Sequence, residues 1–172
     1  MSVDHDQLAQ NTADGDAEAF RELVDAVVAP LRRLAQHTVG RADAEDVLQE
    51  SLTRIYLALR ERRYRAEGQF MAWARRIVTR VALDHLRSQR RRRARELAAA
   101  PPSTAQNADP LALSEVLQAL ETLPPKQRIA LVLKEVEGLT TREIADAMNS
   151  SVGSVEQRLV RARATLRTRW AT

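Results

Sequence analysis

The 172-residue chain contains no cysteine. Disulfides, thiolate nucleophiles and cysteine-ligated zinc are therefore excluded. Only 5 glycines and 3 % aromatic residues are present, and valine and isoleucine recur at helical rather than alternating spacing. That pattern argues against a sheet and for an all-α protein. Lysine is nearly missing: apart from Lys126 and Lys134, the cationic side chains are arginine. No apolar run approaches the roughly 18 residues that a membrane helix needs. The opening MSVDHDQLAQ is acidic and polar, unlike a secretory signal. The expected location is cytoplasmic, without membrane insertion. His5, His37 and His85 lie far apart and in no zinc-ligand spacing, and neither a glycine-rich phosphate loop nor GxSxG occurs. No catalytic residue, metal, cofactor or small-molecule substrate is expected, and the chain does not read as an enzyme.

What is present is charge, unevenly spread. Residues 1–50 hold 4 basic and 11 acidic groups, residues 51–100 hold 14 and 4, and residues 101–172 hold 9 and 8. An acidic segment beside a basic one points to two surfaces for two partners. Arginine also suits phosphate and guanine contacts, through its planar fork.

Hydrophobic spacing divides the chain. Residues 1–15 carry few apolar groups and read as a short helix or tail. From Asp16, Phe20, Leu23, Val24, Val27, Leu31, Leu34 and Ala35 share one helical face, with a kink expected at Pro30. A second helix opens near Asp43 and buries Val47, Leu48, Leu52, Ile55, Tyr56 and Leu59. Asp43, Glu45 and Asp46 suit its positive end; the polar Gln49 and Glu50 are not explained that way. RERRYRAEGQ (60–69) reads as an arginine-rich loop. A third helix follows, with Phe70, Trp73, Ile77, Val78, Val81 and Leu86 apolar and Arg75, Arg76, Arg80 and Arg87 opposite. Its spacing with Ile77 places Trp73 in the core, while Phe70 sits at the loop junction. Six arginines between Arg87 and Arg95 suit a phosphate backbone, with salt-sensitive binding. Residues 98–110, AAAPPSTAQNADP, have no periodicity and read as a linker. Helices around Leu113–Leu120 and Ile129–Val136 come next, the latter ended by Gly138.

The segment from Leu139 to Arg169 is the most informative. Thr140 and Glu143 have capping-box spacing, and Ile144, Ala145 and Met148 form one stripe. Asn149 can end that helix. Ser150 and Ser151 can cap a second one, which buries Val152, Val155, Leu159 and Ala162. Its other face carries Ser154, Gln157, Arg158, Arg161, Arg163 and Arg167. This is a helix-turn-helix pattern, whose second helix would enter a DNA major groove. Antiparallel helix pairs in bundles look similar, but no acid follows Glu156 in this arginine-studded helix, which favours DNA.

DAEDVLQESLTRIYLAL (Asp43–Leu59), QFMAWARRIVTRVALDHLRSQRRRR (Gln69–Arg93) and LPPKQRIALVLKEVEGLTTREIADAMNSSVGSVEQRLVRARATLR (Leu123–Arg167) together resemble the extracytoplasmic-function (ECF) group of bacterial RNA polymerase sigma factors. The resemblance implies two small helical domains joined by a flexible linker: region two over 1–95, a linker over 96–111, and region four with the helix-turn-helix over 112–172. It implies that Asp43, Asp46, Gln49 and Glu50 dock on core RNA polymerase. The Tyr64–Phe70 loop would capture a flipped base of the promoter's minus-ten element, where unstacking costs a few kcal/mol. The implied minus-ten contacts are Tyr64, Arg65, Glu67, Phe70, Arg76, Arg80 and Arg87. At the minus-thirty-five element, Glu156, Gln157, Val160 and Arg161 would read bases, and Ser154 and Arg158 would hold phosphates. Promoter DNA and core polymerase are the implied partners, and family members are commonly held by an anti-sigma factor. Arg80 stands where the family often has Asn, Glu156 where a basic residue is common, and YRAEGQF where Phe-Arg-Gly is common. These departures bear on promoter sequence. Two rivals remain: a stand-alone dimeric helix-turn-helix regulator, and a recombinase or nuclease using this domain for targeting. The acidic 43–50 face counts against the first, and the lack of a convincing nucleophile or carboxylate set against the second.

Overall fold

The computed structural model describes residues 4–65, 67–99 and 112–170, and these form eight α-helices with no strand among them. Most of the expected linker, residues 100–111, lies outside the described residues. The helices are α1 (His5–Asp14), α2 (Ala17–Val39), α3 (Arg41–Arg60), α4 (Phe70–Ala99), α5 (Ala112–Glu121), α6 (Pro125–Glu135), α7 (Thr141–Ala147) and α8 (Val152–Trp170).

The polar first segment is a true helix because its ends are satisfied. The Asp4 carboxylate accepts from the N–H groups of Asp6 and Gln7 at 3.0 and 3.2 Å, and Gly15 closes the far end at φ +107°. Asp16 caps α2 in the same way through Glu18 and Ala19. Pro30 lies inside α2, which runs on to Val39. Leu23, Val27, Leu31 and Leu34 from α2 are almost fully buried with Val47, Leu48, Ile55 and Leu59 from α3 and Ala74, Val78, Val81 and Ala82 from α4. Their spacing is that of core-facing stripes, as the sequence predicts. Tyr56, expected inside, is 37 % exposed and lies against Phe20 at 4.9 Å between centroids.

The second half is built around α6. Ile129, Ala130, Val132 and Leu133 are buried, and α6 packs not only on α7 and α8 but on α2 and α4. The two halves therefore share one hydrophobic cluster in this arrangement. Arg128 marks the seam. At 8 % exposure, it donates from Nη1 to the Thr38 carbonyl at 3.1 Å and from Nη2 to the Glu121 carbonyl at 2.8 Å. Both carbonyls belong to the last turns of helices, α2 and α5, where acceptors are unpaired and the helix dipole is negative. One guanidinium thus satisfies two helix ends from different halves of the chain. A second tie is the Arg75–Glu137 ion pair at 2.8 Å, whose carboxylate side chain is only 9 % exposed.

Three apolar residues expected inside are instead exposed: Val116 at 49 %, Val136 at 51 % and Val152 at 40 %. Val152 opens α8 and Val136 directly follows α6, whereas Val116 lies in the middle of α5. Gly138, at φ +68°, does turn the chain after α6, and the Leu139 N–H returns to the Leu133 carbonyl at 3.0 Å.

The Arg128 contact predicts that Arg128→Met loosens the halves. It removes two charge-assisted hydrogen bonds, about 3–6 kcal/mol in all. Small-angle scattering should show a larger radius of gyration with helical circular dichroism unchanged. An unchanged radius would count against this seam in solution.

Candidate polymerase and nucleic-acid interfaces

Asp43, Asp46 and Glu50 follow one another on α3 at steps of three and four, so they share a face, with Gln49 beside them. Asp46, Gln49 and Glu50 are exposed and Asp43 is half-buried. Asp43 is held from α4: Gln89 Nε2 donates to Oδ2 at 2.6 Å, and His85 Nε2 is 3.5 Å from Oδ1. Glu50 pairs with Arg54 at 2.7 Å, both exposed, so that pair contributes little to stability. The outcome is an acidic strip on a rigid helix. Arg32 meets Glu45 at its border, at 3.2 Å.

Toward the end of α3 and the start of α4, Arg54, Arg63 and Arg80, with Glu61, Leu57, Trp73 and Ile77, line an open groove of about 370 Å³. Arg63 pairs there with Glu61 at 2.7 Å, and Arg54 with Glu50, which leaves arginine in excess. Trp73 is half-buried, its ring 4.8 Å from Tyr64 and 5.6 Å from Phe70. Trp73, expected in the core, does pack against it with part of its ring open, whereas Phe70, expected among the DNA contacts, is the more buried of the two. Phe70 is 2 % exposed beneath the loop, covered by His5 at 6.1 Å and by the edge of Tyr64 at 5.4 Å. α4 periodicity alone could not reveal that α1 covers Phe70. Trp73 instead offers an aromatic surface beside three arginines, a combination suited to stacking a base.

Arg65, Glu67, Arg80 and Arg87 are exposed, and Arg87 pairs with Asp84 at 3.1 Å. Arg76 is half-buried and faces the second half, in a crevice with Arg75, Glu137, Leu139 and Glu143. The loop itself is held from α1. Tyr64 hydroxyl and Gly68 N–H both donate to the Asp6 carboxylate. Arg62 Nη2 donates to Asp14 at 2.6 Å. None of these α1 contacts was legible in the sequence, because the pairs lie 48 to 62 residues apart. Burial, then the hydrogen bond and charge of Asp6, push the Tyr64 phenol well above its ordinary range.

The helix-turn-helix forms as its sequence predicts. Thr140 and Glu143 complete a reciprocal capping box. The Thr140 hydroxyl and N–H, then Arg76 and Arg75, hold the Glu143 carboxyl below its usual value. Asn149 turns at φ +47°, and Ser151 Oγ accepts from the Ser154 N–H at 3.3 Å, capping α8. Ser150 does not cap; its hydroxyl takes the Arg158 guanidinium at 2.8 Å. Val155, Leu159 and Ala162 are buried. Glu156, Gln157, Val160 and Arg161 are exposed together on the outer face, with Ser154 and Arg158 half-buried at its flank. Val160 is 62 % exposed, an apolar side chain among polar ones, as suits a thymine methyl. Arg163 is drawn aside to Glu135 at 2.7 Å.

The described residues hold no group of three or more His, Asp or Glu placed to hold a metal ion, and no helix long and apolar enough to cross a membrane. The model of sigma-70 region 2 matches residues 23–92, and that of sigma-70 region 4 matches residues 113–166. The chain is 32 % identical to the ECF RNA polymerase sigma-E factor of Salmonella typhimurium, over 91 % of this chain and 88 % of the relative. The chain belongs to the ECF sigma factors. Identity to the sigma-E factor of Escherichia coli K12 is 31 % over the same shares. CnrH, solved with the cytosolic domain of CnrY, has TM-score 0.69 and 27 % identity, covering 98 % of each chain. Bartonella quintana RpoE, solved with the anti-sigma factor NepR, shares the fold, with TM-score 0.65 and 24 % identity over 88 % of this chain and 96 % of that one. As a sigma factor, the protein binds core RNA polymerase and directs promoter recognition, DNA melting and transcription initiation.

The Tyr64 environment makes a pH prediction. Because the folded chain favours the neutral phenol, its contribution to stability is complete below the ordinary pKa of about 10. It is lost as the pH rises from there through the raised value. A tyrosinate absorbance titration of wild type minus Tyr64→Phe should place this phenol above a free tyrosine. A normal midpoint would refute the burial and the Asp6 bond.

Proposed function

We propose that the sigma factor divides its work among three faces. Asp43, Asp46, Gln49 and Glu50 of α3 dock on core polymerase. The Tyr64–Gly68 loop, Trp73, Arg80 and Arg87 take the single-stranded minus-ten element. Ser154, Glu156, Gln157, Arg158, Val160 and Arg161 of α8 read the minus-thirty-five duplex. Residues 1–95 form the first functional unit, 96–111 the linker and 112–172 the second. The carrying observation is the gradient of charge along a rigid pair of helices: acids dominate the first half of α3, and arginines dominate the groove where α3 ends and α4 begins, with the Glu50–Arg54 pair at the border. An acidic strip repels DNA and suits a basic protein surface, while the groove does the reverse.

The chain contributes no bond chemistry of its own; polymerization belongs to the enzyme that it directs, in the cytoplasm. Arg75 is engaged by Glu137, and Arg76 lies against Glu143. Engagement of both promoter elements therefore requires the halves to part, and binding polymerase would supply the differential affinity that shifts this equilibrium. Two solved sigma-factor neighbours were captured with protein partners, CnrY and NepR. An anti-sigma factor is accordingly the third partner class.

Run-off transcription with core polymerase and a randomised promoter library tests the reading. Reversing Asp46 and Glu50 to Lys should weaken core association by about tenfold or more, leaving isolated minus-thirty-five binding intact. Transcription equal to wild type would sink the docking assignment. Promoter binding by holoenzyme should fall steeply with salt. Since Glu accepts from cytosine N4, Glu156→Ala should relax preference for one C in the minus-thirty-five element. Unchanged selection at every position would remove Glu156 from the readers.

A further inference from the structure

The match to sigma-70 region 2 begins at residue 23, so α1 lies outside it, yet α1 packs on α2, α3 and α4. Ala9 and Thr12 are about 1 % exposed, and both helix ends are capped. α1 is thus a fixed element, and its first turn lies on the Tyr64–Phe70 loop. Asp6 uses both carboxylate oxygens there: Oδ1 accepts from the Tyr64 hydroxyl and Oδ2 from the Gly68 N–H. These donors lie four residues apart, one at each side of the loop. Gly68 has φ +72°, a conformation that other L-residues rarely adopt, so its N–H is aimed by a special backbone turn. His5, next to Asp6, covers Phe70, whose ring floors the same loop.

We infer that Asp6 is a positioning residue for minus-ten recognition: its carboxylate clips both sides of the base-capturing loop to α1 and holds the loop in its reading shape before DNA arrives. The inference rests on the reading of this loop as the base-capture site. A loop ordered in advance spends less of its interaction energy on ordering when a strand binds. The raised phenol of Tyr64 agrees, since it keeps a proton to donate to Asp6. The other α1–loop contact differs in kind. Arg62 and Asp14 pair at 2.6 Å, but their side chains are 70 % and 64 % exposed, and such pairs contribute little. Asp14 therefore serves as an internal control on the same helix.

The test uses holoenzyme assembled from the full chain and core polymerase. Its probe is a fluorescent single-stranded oligonucleotide carrying the minus-ten element, with each base varied at the captured position. Asp6→Ala should bind about tenfold more weakly, the size of one lost charge-assisted hydrogen bond, and its base preference should flatten. Asp6→Asn, which keeps the shape but cannot accept on both sides, should fall between Ala and wild type. Asp14→Ala should match wild type, and core association should be the same in all. Wild-type affinity and base preference in both Asp6 variants would overturn the inference. Tighter binding would overturn it too, since it would mean that the carboxylate competes with the base for those donors. If Asp6→Ala also loses core association, Asp6→Asn decides by its base preference, which a merely structural role would not move. Failure of wild-type holoenzyme to bind the oligonucleotide at all would instead refute the parent reading of the loop.

Discussion

A buried cation between two helix ends holds this molecule in the arrangement seen. The last turns of α2 and α5 each present unpaired carbonyls and the negative end of a dipole, and bringing two such ends together costs energy unless a positive group lies between them. Arg128 supplies it, with one nitrogen for Thr38 and another for Glu121. Lysine would bring one small, strongly hydrated charge, whereas the planar fork reaches both acceptors at once. Around this point α6 buries Ile129, Ala130, Val132 and Leu133 against elements of both halves. The closed arrangement is therefore a packed interface, not a loose collision of two tethered bodies.

That interface also decides which surfaces are on offer. The acidic strip of α3 and the outer face of α8 stay open, but Arg75 and Arg76 on α4 are turned toward Glu137 and Glu143. The arginine-rich composition thus serves two ends: part of it is displayed, and part is kept paired within the chain. Family membership fixes the class of activity, and the geometry shows acidic and arginine-rich surfaces on one small chain.

Periodic and local features were legible in the sequence. The stripes of α2, α3 and α4, the Thr140–Glu143 box and the turn at Asn149 all depend on residues within a few positions of one another. The reading faltered where distant chain segments meet. Phe70, expected at the DNA, is buried because α1, read only as a short helix or tail, covers it. Ser150 was expected to cap α8 but binds Arg158, eight residues on. Arg128 and Asp6 carried no signal at all: a lone arginine in an apolar stripe and an acid in a polar helix are unremarkable until their partners, 7 and 90 residues from Arg128 and 58 to 62 from Asp6, are known.

The guanidinium at the seam sets what kind of stimulus could separate the halves. Arginine keeps its proton throughout the range in which proteins stay folded, and the chain has no thiol to oxidise. Acidification, alkalinity and oxidants therefore have no direct handle on this latch. A competitor must offer the Thr38 and Glu121 carbonyls, or Arg128 itself, something better than what they already hold. At this latch, release becomes an exchange of one macromolecular embrace for another.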